Sequence, residues 1–475
     1  MNAADRLKLP PVVMPEQEPA ERIHNVREVP FGFTPEMALQ EAQRCLHCTN
    51  QPCVKGCPVG VHIPDFIQAI ESGDYLAGIG IIKQTNLLPA VCGRVCPQED
   101  QCQKDCTVGK AHRDIGQAVQ VGQLERFLAD WERENHAAVI PQIPPTSGKR
   151  VAVIGSGPAG LTVAGDLIKL GHAVTVFEAL HMPGGVLGYG IPEFRLPKEI
   201  VYQEVAYLTR LGVDFQYNTV IGKSLTVDEV RKDYDAVFIG SGAGLPNFLH
   251  IPGESLLGVY SANEYLTRAN LMHAYNEDSD TPILRGKSVA VLGGGNVAMD
   301  SARTALRLGA HRVMVLYRRS EEEMPARKEE YHHAIQEGIE FHFLENPLEI
   351  LGNDAGWVTG LTVQKMQLGE PDASGRRRPL PIPGQTSSVS ADVVVVAIGN
   401  NPNPLIPAAL PGLQMNKHGG IVTDEETMET SVPGVFAGGD IVLGAATVIL
   451  AMGQGRQAAR AIHAWLTRTT ETAKG

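Results

Sequence analysis

Apolar residues follow two different rhythms along this chain. Between about Thr34 and His136 they recur at helical spacing in short segments set among cysteine-bearing loops. PDFIQAIESGDYLAGIGIIKQ is one such segment. VQVGQLERFLADWERE is another, with Val121, Leu124, Phe127, Leu128 and Trp131 on one face. Residues 1–40 are polar and punctuated by proline, and predict a strap with little structure of its own until about Thr34. AVIPQIPPTSGKR reads as a linker and sets a first boundary near residue 145. From Lys149 onward continuous apolar runs alternate with helical stretches, the pattern of a parallel sheet in the α/β class.

The first of these runs, Val151 to Ile154, leads straight into Gly155-Ser156-Gly157-Pro158-Ala159-Gly160. A helical stretch then ends near Gly171, and HAVTVFE closes on Glu178. A buried strand, glycine turn, helix and second strand in that order make a complete βαβ dinucleotide unit. Gly155 permits the tight turn, Gly157 lets the backbone approach a pyrophosphate, and Gly160 brings the helix close to the sheet. Glu178 stands where an acidic residue accepts ribose hydroxyls. A second unit begins at Ser288, SVAVLGGGNVAMDSARTALRLGAHRVMVLYRR, a weak repeat of the first. GIEFHFLENPLEIL and WVTGLTVQKMQL then predict a strand and a hairpin ribbon, and GEPDASGRRRPLPIPGQ a charged turn. ADVVVVAIG and VFAGGD predict buried strands, the latter leading to a helix over ATVILAMGQGRQAARAIHAWL.

Composition narrows the partners. A chain of 475 residues suggests about three domains. A formal net charge of −12 argues against nucleic acid and anionic membranes. No apolar window is long enough to span a bilayer, and the N-terminus lacks the apolar core of a signal peptide, so the cytoplasm is the expected compartment.

All eight cysteines fall between Cys45 and Cys106. With no export signal, clustering of this kind points to metal rather than disulfides. The first group is Cys45, Cys48, Cys53 and Cys57-Pro58; the second is Cys92, Cys96-Pro97, Cys102 and Cys106. Two groups, each with a Cys-Pro, imply two iron–sulfur clusters with ligands exchanged between the groups. Structural zinc prefers paired Cys-x2-Cys knuckles, and only one occurs here. His47, between two of the cysteines, reads as a loop residue.

The second glycine turn is Gly293-Gly294-Gly295-Asn296-Val297-Ala298. Its following strand ends in Tyr317-Arg318-Arg319, where an NAD enzyme carries an acidic residue. Two guanidinium groups can clamp a 2′-phosphate, so NADPH is expected over NADH. Of the pair, Arg319 is the one expected to be a solvated face charge if only one serves. A third signature is Gly438-Gly439-Asp440, with Ala446-Thr447-Val448 opening a helix. The aspartate can hold a flavin's ribityl or phosphate groups, and the helix start can offer amides to the ring.

RCLHC, GCPV, GRVCPQE, EALHMPGGVLGYGIPEFRLPKEIV, YSANEYLTR, LGGGNVAMD and GVFAGGD together carry a resemblance over essentially the whole chain. The sequence resembles the small (β) subunit of NADPH-dependent glutamate synthase. It is especially similar to the branch with the large subunit of NADH-dependent ferredoxin:NADP⁺ oxidoreductase and archaeal sulfide dehydrogenase-type proteins. The N-terminal half of dihydropyrimidine dehydrogenase is a more distant likeness. The resemblance implies two nested Rossmann-like FAD and NADPH domains of the glutathione-reductase type, preceded by a helical domain with two [4Fe-4S] clusters. The implied limits are 1–145 for the helical domain, 146–284 and 389–475 for the two FAD parts, and 285–388 for the NADPH domain.

By position, the same resemblance implies that Cys45, Cys48, Cys53 and Cys106 bind one cluster and Cys57, Cys96 and Cys102 the other. The family's fourth ligand there is a side-chain oxygen, matched by Glu125; spacing to Cys96 would nominate Cys92 instead, and the choice stays open. Implied FAD contacts are Gly155, Gly157, Pro158, Ala159, Gly160, Glu178, Gly184, Gly185, Gly439, Asp440, Thr447 and Val448. Those for NADPH are Gly293, Gly295, Asn296, Val297, Arg318 and Arg319. GIPEFR (190–195) would lie beside the isoalloxazine.

The expected activity is hydride transfer between NADPH and FAD, with single electrons passing through the clusters to or from a partner subunit in a hetero-oligomer. No side chain need act as acid or base. A thioredoxin-reductase-like enzyme would need a redox cysteine pair near the flavin, and no cysteine follows Cys106. Glutamate synthesis needs an amidotransferase nucleophile, typically an N-terminal cysteine; this chain begins Met-Asn, so it is expected to be the electron-input subunit. The alternatives are the large subunit of a ferredoxin:NADP⁺ oxidoreductase, with flavin bifurcation open, and a non-catalytic nucleotide-sensing or assembly flavoprotein.

Overall fold

A computed structural model describes residues 1–373 and 375–472. The N-terminal strap is docked rather than free. It carries the short helical turns Ala3–Arg6 and Pro19–Arg22, bridges to itself at Glu16 and Pro30, and buries Arg22 to 1 % exposure. The longer helices that follow are α1 (Pro35–Ala42), α2 (Ile63–Ser72), α3 (Tyr75–Lys83), α4 (Pro89–Val95) and α5 (Val121–Glu134), with short turns of helix at Pro52–Lys55 and Thr107–His112. The helical spacing seen in α5 buries Leu124, Phe127 and Leu128, while Phe127 and Trp131 meet Tyr75 of α3 edge-on at 5.1 and 5.5 Å. Such rings contribute packing area and roughly 0.5–1.5 kcal/mol per pair beyond it.

The first α/β unit begins with β1 (Arg150–Ile154), α6 (Pro158–Ile168) and β2 (Ala173–Phe177), then α7 (Lys198–Leu211), β3 (Asp214–Gln216) and β4 (Ala236–Ile239). The second unit comprises β5 (Val259–Ser261), α8 (Ala262–Asn270), β6 (Ser288–Leu292), α9 (Asn296–Arg307), β7 (Arg312–Tyr317), α10 (Lys328–Gln336) and β8 (Glu340–Phe343). A ribbon of β9 (Glu345–Gly352), β10 (Val358–Pro371) and β11 (Arg377–Ser390) leads to β12 (Val393–Val396). The chain ends in β13 (Val435–Ala437) and α11 (Val448–Thr472).

Two parallel sheets result, in the orders β13-β4-β1-β2-β3 and β5-β12-β6-β7-β8. Their central strands β1, β4, β6 and β12 are buried on both faces, which is why the sequence shows unbroken Val/Ile/Ala runs there. Sheet membership moves the limits expected for the inserted unit. Val259–Ser261 and Val393–Val396 hydrogen-bond to one another in the second sheet, although they lie outside 285–388. The chain crosses between units where Leu245–Pro246 pairs antiparallel with Asn400–Asn401.

The expected charged turn after Leu368 is also shorter than its sequence suggests. Most of it forms β11, paired antiparallel to β10 at the edge of its three-stranded sheet. Most of β11 is exposed, so it needs no alternation of apolar residues, and an edge strand tolerates Pro379, Pro381 and Pro383.

Candidate functional site

The first glycine turn is built by contacts that only glycine permits. At Gly155 (φ 101°) a Cβ would stand 2.5 Å from the Gly240 carbonyl oxygen, and at Gly160 only 2.0 Å from that of Gly155. Gly157 is different: nothing lies within 4 Å of where its Cβ would be. That open space lies at the N-terminus of α6, whose amides receive no side-chain cap from Gly157. An uncapped helix start facing an open backbone approach fits a pyrophosphate.

Around this turn the predicted residues converge. Glu178, 6 % exposed, accepts from Ser156 N (3.0 Å), Ser156 Oγ (2.5 Å) and Leu180 N (2.9 Å). Its carboxylate therefore braces the turn and keeps spare lone-pair capacity for a ribose hydroxyl. Gly184 N donates to the same Ser156 Oγ (3.0 Å), and a Cβ on Gly185 would stand 3.0 Å from Gly157 Cα. A Cβ on Gly439 would stand 3.1 Å from Ala159 Cβ. Asp440, pushed up to about 6 by burial, accepts from Ala446 N (3.2 Å). Thr447 and Val448 open α11, and Thr447 Oγ1 takes a hydrogen bond from Leu450 N (3.3 Å).

The second turn repeats the construction. A Cβ on Gly293 would sit 2.3 Å from the Ala397 carbonyl oxygen, whereas at Gly295 the nearest atom is 3.9 Å away. Asn296 Oδ1 accepts from Arg327 N (2.8 Å), and Val297 is exposed. The two arginines part company. Arg318 is exposed at the end of β7. Arg319 is not a solvated face charge: it is 6 % exposed, pairs with Asp372 (2.6 Å) and donates to the Arg377 carbonyl (2.8 Å). Its place at the foot of the ribbon turned it inward.

The cysteines fall into two neighbourhoods. Cys45 faces Cys53, Cys106 and Cys48; burial, with these neighbours adding, pushes its thiol up to about 12. Cys48 reaches Thr107 Oγ1 at 3.2 Å. Burial likewise lifts Cys53 and Cys57 to about 11, with Cys57 facing Glu125 and Cys96. Cys57, Cys92, Cys96, Cys102 and Glu125 line one pocket. Crowded, desolvated thiols resist ionisation on their own, and a multiply charged iron centre supplies the field that makes them thiolates.

Glu125 and Cys92 both reach this pocket. Asn86, fully buried, links them: its Nδ2 donates to Glu125 Oε1 (2.7 Å), while its Oδ1 accepts from Leu88 N (2.9 Å) and lies 3.7 Å from Cys92 Sγ. Burial pushes Glu125 up to about 8. Nothing in the local sequence around Asn86 signals its bond to Glu125, which lies 39 residues along the chain. Helix α11 closes the same region. Cys92 Sγ is 3.6 Å from Met452 Sδ of α11, and Gln101 Nε2 is 3.5 Å from Thr447 Oγ1.

Fold and site together define a flavin- and nicotinamide-dependent oxidoreductase preceded by an iron–sulfur domain. Residues 22–137 match the family of dihydropyrimidine dehydrogenase domain II, 4Fe-4S cluster, and residues 149–461 that of pyridine nucleotide-disulphide oxidoreductases. The chain is 37 % identical over 465 residues to the glutamate synthase [NADPH] small chain of Halomonas elongata, covering 95 % of this chain and 96 % of that one. It is 41 % identical over 443 residues to the NADP(+)-dependent formate dehydrogenase subunit beta of Moorella thermoacetica, covering 88 % of this chain but only 60 % of that subunit. Among solved structures, FprA of Mycobacterium tuberculosis in complex with NADPH shares the fold, with a TM-score of 0.57 and 22 % identity over 70 % of this chain and 86 % of that one.

The chain belongs to the glutamate synthase small-chain family, and is an NADPH-linked FAD/iron–sulfur oxidoreductase. No helix of the described residues is long and apolar enough to cross a membrane.

Proposed function

We propose that this chain is the electron-input subunit of a glutamate synthase-like complex in the cytoplasm, exchanging reducing equivalents between NADPH and a redox partner subunit. Bound FAD would supply the chemistry that couples a two-electron hydride donor to one-electron iron–sulfur clusters. The chain's own residues supply the rest. The turn 155–160 and the start of α6 hold the FAD pyrophosphate, Glu178 the ribose, and Gly184, Gly185, Gly439, Asp440, Thr447 and Val448 the remainder of the flavin. Gly293, Gly295, Asn296 and Val297 hold the second pyrophosphate, and Arg318 takes the 2′-phosphate with Arg319 fixing the strand end. Cys45, Cys48, Cys53 and Cys106 serve one cluster; Cys57, Cys96, Cys102 and either Glu125 or Cys92 serve the other.

The observation that carries this reading is the direct abutment of α11 on the second cysteine pocket, through Cys92–Met452 and Gln101–Thr447. On this reading a flavin seat and a cluster seat lie side by side. The 37 % identity over 465 residues to a glutamate synthase [NADPH] small chain supports that complex. The test is anaerobic titration of the purified protein with NADPH, followed by flavin absorbance and cluster EPR, with an anaerobic pull-down to identify the partner. Flavin and cluster signals should change together. A protein that binds NADPH and reduces neither itself nor a dye would be a sensor or assembly factor instead.

A further inference from the structure

The segment from Gly185 to Lys198 joins the two glycine turns. At its start Gly185 leans on Gly157. Tyr189 is half-buried, with Asp440 and Glu178 both bearing on its hydroxyl. The carbonyls of Tyr189 and Gly190 each accept from Asn270 Nδ2 of α8 at 3.3 Å. Lys198 Nζ then clips the loop by donating to the carbonyls of Ile191 (2.5 Å) and Leu196 (2.7 Å).

Phe194 and Arg195 form the far end. Phe194, 2 % exposed, lies under the guanidinium groups of Arg303 (4.7 Å) and Arg307 (3.9 Å), and its carbonyl accepts from Val29 N of the strap (2.9 Å). Arg195 Nη1 donates to both carboxylate oxygens of Asp300 at 2.7 and 2.8 Å. Its Nε lies 2.8 Å from Glu330 Oε1, an ion pair off the line of the N–H. Asp300 is one helical turn into α9, the helix that Asn296 opens. Glu330 lies in α10, and Arg327, just before α10, donates its backbone N–H to Asn296 Oδ1. Arg195 therefore grips both elements that hold the second glycine turn.

We infer that Arg195 is a positioning residue for hydride transfer: through Asp300 and Glu330 it fixes the nucleotide-holding turn in register with the flavin-side segment 185–198. The inference rests on the assignment of the two turns to FAD and NADPH. A buried ion pair is weak evidence for stability, since an apolar pair of similar volume does as well, but Asp300 on Nη1 and Glu330 beside Nε together fix the plane of one guanidinium and so set orientation. Orientation is what a hydride step needs, because a misplacement of about 1 Å costs on the order of 100-fold in rate.

The test uses the holoenzyme of R195M/D300M, which removes the pair without leaving either charge alone; Glu330 keeps Arg303 as a partner. Anaerobic stopped-flow should show NADPH-driven flavin reduction slowed about 30-fold or more. KM for NADPH, FAD content and reduction by dithionite should stay within about threefold of wild type, well inside one decade of affinity. R195K, which keeps the charge and loses the fork, should fall between the two. If the double variant does not fold, R195K alone decides: a wild-type rate overturns the inference and a slowed rate at unchanged KM supports it. A double variant with wild-type hydride transfer, or one that loses rate only in proportion to lost cofactor, overturns it. A wild-type protein that NADPH does not reduce would show a different failure, that of the turn assignments themselves.

Discussion

Gly157 and Gly160 stand three residues apart, yet the structure predicts opposite consequences for the same methyl group. At Gly157 the backbone is extended (φ −71°, ψ 179°), a conformation alanine adopts freely, and the added Cβ meets nothing within 4 Å. Alanine lowers the entropy of the unfolded chain but is a poorer helix cap, so Gly157→Ala should change the stability of deflavinated protein by less than about 1 kcal/mol. The methyl would occupy the approach to the first amides of α6. Loss of two charge-assisted hydrogen bonds, at roughly 1.5–3 kcal/mol each, weakens FAD by at least about 100-fold. At an FAD concentration about 100 times the wild-type Kd, the ligand stabilises wild type by about 2.7 kcal/mol and the variant by about 0.4 kcal/mol. At Gly160 the same methyl would stand 2.0 Å from a backbone oxygen and 3.1 Å from Val153 Cγ1. Gly160→Ala should therefore cost about 3 kcal/mol or more with or without FAD. Thermal unfolding of both variants, each measured with and without FAD, separates the cases. A Gly157→Ala protein that retains FAD at wild-type strength would refute the flavin assignment of this turn.

The remaining predictions concern single side chains. Arg318→Ala should raise KM for NADPH and leave that for NADH, whereas Arg319→Ala should lower the melting temperature by removing its ion pair with Asp372 and its bond to the Arg377 carbonyl; equal effects of Arg318→Ala on both nucleotides would remove its 2′-phosphate role. Anaerobically purified protein should carry about eight irons. Glu125→Ala should alter one cluster's EPR spectrum and spare the other; an unchanged spectrum would hand the ligand role to Cys92. Lys198 sits buried and burial pulls it down to about 8. The unfolded chain thus binds more protons between pH 8 and about 10.4, and folding stability should rise across that window by up to about 3 kcal/mol from this group. Urea denaturation of Lys198→Met should show that rise diminished; an identical pH profile would mean that Lys198 titrates normally.

How much of this was legible depended on the range of the forces involved. The turns at Gly155 and Gly293 follow a fixed glycine spacing within one βαβ unit and so are legible, although the carbonyls that crowd them, of Gly240 and Ala397, come from distant strands. Strands β1 and β12 announce themselves because burial on both faces demands an unbroken apolar run. β11 does not, since pairing by main-chain bonds at an exposed edge leaves no side-chain period. The limits of the inserted unit were missed for a related reason: Val393–Val396 looks the same whichever sheet receives it, and only its partners Val289–Leu292 decide. Asn86, Arg195 and the burial of Arg319 rest on contacts 39, 105 and 53 residues apart, which no local pattern encodes.

The two kinds of interface in the molecule suit two different tasks. The cysteine-bearing helices and the first α/β unit share one apolar core, running from Ile67 and Leu128 through Leu167 and Leu208 to Met452. A Cβ on Gly165 of α6 would strike Leu87 at 2.4 Å, so the two parts pack as tightly as a domain interior. Electron transfer between a flavin seat and a cluster seat gains from such a body, because close packing keeps their separation constant. The second α/β unit keeps its own cores around Val291 and Val394. It meets the other parts largely through charge: Arg22 with Glu337, Arg327 with Glu99 and Gln98, and Arg195 with Asp300 and Glu330. Apolar contact is non-directional, while a buried guanidinium held by two or more acceptors from different elements admits few orientations. A unit that must receive and release a dinucleotide, yet present it at one angle, is served by the second kind. This division predicts that substitutions in the shared core disturb cluster reduction first, whereas substitutions among the ion pairs disturb the hydride step first.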